Sequence, residues 1–568
     1  MKPSILPGII RGLGKARIQF DKAYENRKIF AANSKQFSIL EKIDIKNKDF
    51  SRTSLFKAYK LLSNSEFDEV IFWTFLKIIY SEENGGICVP KKELIDFIQS
   101  QNPKLDTEAS WNRYLEKEKD NSLLVIEEDM VYLKNLYTTE KIVCEKLKNF
   151  FSTSFTEKFK EYKDKNLSEE QIQIVNSVFK NGISFLSGGP GTGKTTIIQS
   201  ILRSALENKI QAADIAILAP TGKAAKRLQE SCQALIQKYP ELEPSTIHRF
   251  LKYSPRSGKF RFNAENILHH KLIILDEASM IDIFTLRALL EAYPNEDKTR
   301  RILFVGDPDQ LLSVNTGSIF ADFISLKRNL FILTQSFRQS EEGKEIKNLA
   351  NHIKKLYAED NVSLPTDIKI ESDLNDIHNG IRFIQTKDDN ESLKHACNWY
   401  NFLTIKKLIG QILTPYNETE IGVNQINSFI ESNQKEKTSL PVIVTQNLYN
   451  LGIFNGETGR MIEDNNRYLF YPYGKEELEI SDTNRQFFKT AYAITIHKSQ
   501  GSEYDHVCLV LPAKEEEPDS LLNIRILYTA ITRAKKSVTV IGSVALFQKA
   551  LLNKGEIRHS RIASILKW

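Results

Sequence analysis

Long hydrophobic runs, paired cysteines and a charge of one sign are all missing from this chain, and each absence excludes a class of function. The most apolar stretch, VIFWTFLKIIY, is too short to cross a bilayer and contains Lys77. The N-terminus, MKPSILPGIIRGLGKARIQF, lacks the apolar core of a signal peptide. Neither a membrane role nor export is expected. Five cysteines, Cys88, Cys144, Cys232, Cys397 and Cys508, are scattered without paired spacing. That pattern argues against a disulfide framework or a zinc site and fits a reducing, cytoplasmic setting. Lys and Arg number 78 against 72 Asp and Glu, a net +6. So slight an excess does not mark a nucleic-acid binder, and charge has to be read locally.

What is present is the composition of an ordinary globular protein, with 41% hydrophobic, 26% charged and 10% aromatic residues. At 568 residues the chain exceeds one hydrophobic core, so several domains are expected. Residues 1–150 read as a helical domain: SLFKAYKLL and DEVIFWTFLKIIY place apolar residues at helical spacing. The polar stretch KFKEYKDKNLSEEQ then leads into a helix from Leu167 to Phe179. From Ile183 the texture changes to short apolar runs, each followed by turn residues and a helical pattern. ISFLSG, IAILAP, LIILDE, RILFVGD and LFILTQSF read as buried strands of a parallel α/β sheet over 151–335. A second set, QILTPYN, YAITIHKSQ, HVCLVLP and VTVIG, predicts another such domain over 336–568. Two inserts interrupt the pattern. Residues 252–270 predict a small basic hairpin bearing Lys252, Arg256, Lys259 and Arg261, and residues 440–487 a small β-barrel or β-extension.

The most informative segment is GISFLSGGPGTGKTT. A strand runs into Gly188, Gly193, Lys194 and Thr195 at G-x-x-x-x-G-K-T spacing and then into a helix, the full context of a phosphate-binding loop. Gly188, Gly189, Pro190, Gly191, Thr192, Gly193, Lys194, Thr195 and Thr196 are the candidate nucleotide contacts. Small residues let backbone amides approach phosphate, and the helix N-terminus adds positive potential. Lys194 can reach the β and γ phosphates, and the Thr195 hydroxyl can hold Mg2+. LIILDEAS delivers Asp276 and Glu277 from a buried strand, the first a candidate Mg2+ ligand and the second a candidate for orienting the attacking water. ATP and Mg2+ are therefore the expected cofactors.

The remaining motifs resemble those of superfamily 1 helicases, in the family's order from Gln171 to Arg533. NLSEEQIQIV places Gln171 where that family reads adenine. LAPTGKAAKRL and STIHRFL match motifs Ia and Ib, and FVGDPDQLLSVNTGSIF carries Gln310 as candidate γ-phosphate sensor with Asp307 beside it. LTQSFRQ presents Arg338, AYAITIHKSQGSEYD runs from His497 to Glu503, and LYTAITRAK presents Arg533. The resemblance implies two RecA-like motor domains, with Arg338 and Arg533 as arginine fingers and Glu503 at the nucleotide. It also implies DNA contacts from Pro220, Thr221, Lys223, His248, Arg249, Thr495, His497 and Lys498.

Within that superfamily the chain resembles the RecD family, on GGPGTGKTT with PTGKAAKRL, on QILTPYNETEIGVNQIN with Gly422, Val423 and Asn427, and on PVIVTQNLYNLGIFNGETG with Asn447, Leu451, Phe454, Asn455, Gly456 and Gly459. FLKIIYSEENGGICVPKKEL, a helix ending at a Gly-rich turn followed by Cys, resembles the family's N-terminal region. The resemblance implies 5′-to-3′ translocation on single-stranded DNA and an N-terminal docking domain. It further implies RecB and RecC partners in the RecBCD heterotrimer, exodeoxyribonuclease V, which degrades double-stranded DNA ends for recombinational repair. No acidic nuclease cluster is visible outside the ATP site, so nuclease activity is expected in another subunit. Two alternatives stay open. A stand-alone RecD-like helicase would carry helix-hairpin-helix features that this sequence lacks. A motor fused to a DNA-nicking domain would need a His-rich cluster, and the first 165 residues contain no histidine.

Overall fold

A computed structural model of the chain describes Ser54, Ala58 and residues 68–567, apart from 157–158, 335–342, 360–368, 372, 435–438, 465–466, 474–475 and 515–520. In the N-terminal region, Asp68 starts the helix Glu69–Glu83 by accepting hydrogen bonds from the amides of Val70 and Ile71. Three further helices, Lys91–Gln101, Thr107–Glu118 and Lys134–Phe151, pack with it around a small antiparallel sheet. That sheet comprises β1 (Val89–Pro90), β2 (Leu124–Glu127) and β3 (Met130–Leu133) in the order β1-β3-β2. The buried Trp111 indole ties two of the helices together by donating to the Thr74 hydroxyl at 2.8 Å.

The first motor sheet is wholly parallel. Its strands are β4 (Ile183–Gly188), β5 (Ile215–Ala219), β6 (Ser245–Thr246), β9 (Leu272–Leu275), β10 (Arg301–Gly306) and β11 (Leu330–Leu333), in the order β11-β4-β10-β9-β5-β6. The expected hairpin is the pair β7 (Tyr253–Ser254) and β8 (Lys259–Phe260). Because β4, β9 and β10 are neighbours, the phosphate loop, the acidic pair and the GDPDQ segment all emerge at one edge of the sheet. This is the crevice outside the carboxyl ends of the strands where α/β sheets bind ligands.

The second motor sheet, also parallel, has the order β12-β13-β22-β21-β14-β20. Its first strands are β12 (Lys369–Glu371), β13 (Gly380–Gln385) and β14 (Gly410–Thr414). Between β14 and the rest lies a five-stranded antiparallel sheet of β15 (Leu440–Val444), β16 (Thr458–Asp464), β17 (Arg467–Pro472), β18 (Leu478–Ile480) and β19 (Phe488–Thr490). The chain then returns through β20 (Ala493–Thr495), β21 (Tyr504–Val510) and β22 (Ala534–Gly542). The β-rich insert is thus a separate sheet with its own apolar core around Val442, Ile453, Met461 and Phe470.

The cores show how the parts are joined. One face of the first motor sheet, including Phe185, Ile273 and Phe304, is continuous with the N-terminal core of Leu147, Phe150 and Phe151. The helices Glu169–Val178, Lys194–Glu207 and Gly222–Ser231 cover the opposite face. Ile562 and Leu566, from the last helix, Ile562–Leu566, join the N-terminal core. The chain end has therefore left the second motor sheet.

Phe185 links these regions, with ring centroids 4.8 Å from Phe323, 5.6 Å from Phe304 and 5.9 Å from Phe151. Phe185→Ala is expected to destabilise the first motor domain by about 3–5 kcal/mol through lost burial and a residual cavity. Urea unfolding followed by circular dichroism measures the effect.

Candidate functional site

Buried β4 delivers the chain to the phosphate loop, where Gly191 (φ 75°) and Gly193 (φ 86°) adopt left-handed backbone that side chains disfavour. Gly193 caps the helix Lys194–Glu207, and the Lys194 ammonium folds back to donate to the Gly188 and Gly189 carbonyls at 2.6 and 3.2 Å. A Cβ at Gly188 would press on the Thr192 hydroxyl and Leu333. The tight loop thus requires its glycine there.

A cavity of about 760 Å³ opens over this loop, bounded by both motor sheets. Gly189 to Thr195, Asp276, Glu277, Gln310, Glu503 and Arg533, all expected at the nucleotide, line it together. Burial and the adjacent Glu277 raise the Asp276 pKa, while Lys194 and Arg227 act in the opposite direction. A half-buried carboxylate with neighbouring negative charge, lining the same cavity as Thr195, is a donor set suited to a hard divalent cation. Glu277 itself has φ 50°, an unusual conformation for a non-glycine residue, and lies immediately after the β9 segment.

Across the cavity the two motor sheets are joined by hydrogen bonds between buried groups. Arg533, at the foot of β22, donates from Nη2 to Gln310 Oε1 at 3.0 Å, from Nε to the Thr529 carbonyl and from Nη1 to the Ser502 carbonyl. Gln310 passes the contact on, its Nε2 donating to Asp307 Oδ2 at 3.1 Å. The Tyr528 hydroxyl donates to the same carboxylate oxygen at 3.2 Å. Lys354 adds an ion pair to Asp309 at 2.9 Å. Burial alone would lower the Lys354 pKa, but Asp307 and Asp309 outweigh it and the net shift is upward.

Other expected nucleotide residues lie elsewhere. Gln171 closes a capping box with Ser168, its Oε1 accepting from the Ser168 amide at 3.0 Å, and does not line the cavity. Thr196 is exposed on the helix Lys194–Glu207 and also lies outside the lining. Arg338 lies outside the described residues, although Thr334 and Gly343 on either side of it reach the cavity wall. The sequence reading missed Arg227, Lys354 and Lys535. Arg227 pairs with Glu503 at 2.8 Å, and Lys535 lies 3.9 Å from the same residue. Arg227 stood inside the motif Ia match, but Lys354 occupies an ordinary amphipathic helix, Lys344–Ala358, with no local signal.

The residues expected to touch DNA divide into capping groups and clustered cations. Thr221 and Thr495 each cap the helical turn that follows their strand, accepting from the amides of Ala224 and Lys498; Pro220 precedes Thr221 at half exposure. Lys223 donates to the Gly456 carbonyl at 2.8 Å, and burial lowers its pKa to about 8 despite Glu457. Gly456 also faces the Lys498 carbonyl, so the segments LAPTGKAAKRL and AYAITIHKSQGSEYD converge there. Burial and Lys489 lower the Lys498 pKa. Burial and Arg558 lower the His497 pKa. The His248 ring packs 5.5 Å from Tyr253 and 5.6 Å from Phe260 of the hairpin, with its pKa lowered by burial against the pull of Asp282. Arg249 sits 5.6 Å from the centroid of Tyr449 in the insert.

The insert loop carrying Asn447 to Glu457 is therefore seated on the first motor domain. Lys226 donates to the Gly452 carbonyl at 2.7 Å and pairs with Glu457 at 2.7 Å, while Phe454 closes on Gly222, where any side chain would overlap its ring. Lys226→Met should release this loop. About tenfold faster amide exchange is expected at residues 452–457, with the neighbouring strands β16 and β17 unchanged, by hydrogen-exchange mass spectrometry.

Comparison with known proteins agrees with this geometry. Residues 171–316 match an AAA domain model and residues 490–541 a UvrD-like helicase C-terminal domain model. The chain is 29% identical to the RecBCD enzyme subunit RecD of Buchnera aphidicola subsp. Schizaphis graminum, covering 84% of this chain and 91% of that one. It is 30% identical to the RecBCD enzyme subunit RecD of Mycobacterium tuberculosis (strain CDC 1551 / Oshkosh), over 68% and 71%. It is also 28% identical to the ATP-dependent RecD2 DNA helicase of Deinococcus radiodurans, over 70% of this chain and 52% of that one.

Proposed function

Because the chain belongs to the RecD family of superfamily 1 DNA helicases, we propose that it is the ATP-driven, 5′-to-3′ single-stranded DNA translocase of a RecBCD-type complex. In this reading it works with RecB and RecC partners in the cytoplasm on double-stranded DNA ends for recombinational repair, and the nuclease resides in a partner. The observation that carries the motor reading is the Arg533–Gln310–Asp307 bridge, which makes the relation of the two sheets depend on groups facing the nucleotide.

In this mechanism Lys194 and the loop amides bind the ATP phosphates, and Thr195 and Asp276 would hold Mg2+, which would supply charge neutralisation at the phosphates. The Glu277 carboxylate orients the attacking water and accepts its proton, and Gln310 senses the γ-phosphate. Arg533 and Arg338 supply fixed cationic forks for the charge that develops on the transferred group. A γ-phosphate competes for the hydrogen bonds of the bridge and its loss lets Arg533 and Gln310 pair again, so the two motor sheets change their relation once per turnover, and alternating grip on the strand gives directional steps. Pro220, Thr221, Lys223, His248, Arg249, Thr495, His497 and Lys498 form the strand's track, with the 252–270 hairpin at the fork.

A stand-alone RecD-like helicase is the second reading, favoured by the 28% identity to the RecD2 helicase, of which this chain spans 52%. Unwinding assays on duplexes with a 5′ or a 3′ single-stranded tail test the proposal. Activity is expected only with the 5′ tail, and Lys194→Gln is expected to abolish it without altering the melting temperature. A preference for the 3′ tail would overturn the polarity. Arg533→Ala should lower DNA-stimulated kcat by about 10³-fold while changing nucleotide affinity by less than about threefold, because the arginine acts mainly in the transition state. Steady-state kinetics with fluorescent-nucleotide titration measures both.

A further inference from the structure

The Gly-rich turn of the N-terminal region, the exit from the GDPDQ segment and the chain's last residues meet at one point, and Arg558 occupies it. Its Nη1 donates to the Ser313 carbonyl at 2.8 Å and lies 3.4 Å from the Gly317 carbonyl. Gly85, at φ 93°, lies directly beneath the guanidinium, and a Cβ there would overlap Cζ and Nε. The Gly85 carbonyl in turn accepts from the Gly317 amide at 2.7 Å. The guanidinium therefore fits only because position 85 has no side chain. Among the described residues no carboxylate pairs with Arg558, and burial together with nearby Arg525 lowers its pKa to about 10. A half-buried cation that binds only carbonyls is more sensitive to their position than one neutralised by an acid.

Its neighbours fix it to the N-terminal region and to the first motor domain. The His559 carbonyl accepts from the amides of Ile87 and Cys88, and the Arg561 amide donates to Glu140. Ser560 donates to Asp322 at 2.7 Å. The other end of the 311–317 segment is held by the second motor domain, where the Thr529 hydroxyl accepts from the Leu311 amide and Arg525 donates to the carbonyls of Pro308 and Gln310. The loop that follows the γ-phosphate sensor is thus anchored at one end to the second motor and at the other to a junction shared by the N-terminal region and the C-terminal strap.

We propose that Arg558, seated on Gly85, is a positioning residue of the ATPase, which fixes the 313–317 loop and so makes turnover depend on the N-terminal region. This rests on the ATP-driven motor reading above. Docking of a partner on the N-terminal region then reaches Gln310 through Gly85, Arg558 and Gly317, without touching the nucleotide. The Gly-rich turn of FLKIIYSEENGGICVPKKEL has its place as the seat of the strap.

The test uses the full chain and a single-stranded oligonucleotide, with R558Q, R558K and G85A compared to the unaltered protein. R558Q is expected to lower DNA-stimulated kcat about tenfold with KM for ATP within about twofold, because binding groups are untouched while sensor geometry is lost. R558K, which retains charge and some donors, should recover an intermediate kcat. G85A displaces the guanidinium and should reproduce the R558Q defect, and the double variant should be no worse than either alone. Wild-type kcat in R558Q overturns the proposal, and so do additive losses in the double variant. A fall in melting temperature that parallels the loss of activity in all three variants also overturns it, since the contact then serves stability alone. Absence of DNA-stimulated hydrolysis in the unaltered protein overturns the motor reading as well, which separates the two failures.

Discussion

The rest of the molecule depends on the hydrogen-bonded bridge from Arg533 through Gln310 to Asp307, with Tyr528 closing on the same carboxylate. Each of these side chains is buried, so the cost of leaving one unpaired is a full desolvation penalty rather than the small net value of a surface contact. Two parallel sheets thereby acquire a preferred relation. That relation is sensitive to charge in one place, because the Nε2 of Gln310, which donates to Asp307, and the guanidinium of Arg533, which donates to Gln310 Oε1, are both donors that a phosphate oxygen can also accept from. A nucleotide does not have to deform either core; it has only to compete for a few hydrogen bonds.

What the sequence disclosed follows from the range of the signal. The phosphate loop, the acidic pair and nearly every motor strand were legible, because a buried parallel strand is a short apolar run and a tight phosphate turn needs small residues at fixed spacing. The insert was legible as a β region for the same reason. Gln310 and Arg533 were each marked by their motifs, yet their pairing joins residues from different sheets and has no local signature. Gln171 shows how one spelling serves two purposes: Ser-x-x-Gln before a helix is also a capping box, and the side chain is used for that here. Lys354 was invisible, since a lysine on an amphipathic helix looks like any solvated cation until its neighbours are known.

The N-terminal region was read as a helical unit preceding the motor, and its helices are present. Its core, however, is continuous with one face of the first motor sheet, where Phe151 packs near Phe185. An α/β sheet with strands that are apolar on both faces requires cover on both, and here one cover comes from outside the sequence limits of the motor. The region is therefore part of the structural core of the first motor domain. The C-terminal helix, with Ile562 and Leu566 in that same core, joins the chain's last segment to this cover.

The slight net charge also acquires a physical meaning. Several cations in and around the clefts are engaged by protein acceptors: Lys194 by its own loop, Lys223 and Lys226 by carbonyls of the insert, Arg533 by Gln310, and Arg558 by the exit loop. Carbonyls are weaker partners than phosphates for the same cationic donors, because a phosphate oxygen adds the attraction of a full negative charge to the hydrogen bond. Lys194, Lys223 and Arg533 can exchange a neutral protein acceptor for a phosphate, and wherever that acceptor belongs to another part of the chain the exchange alters a contact between parts. Lys223 would release the insert loop, and Arg533 would release Gln310. A large positive surface would bind nucleic acid without reporting that it had done so. Cations such as Lys223 and Arg533, already committed to a contact between parts, would make phosphate binding and rearrangement of that contact the same event.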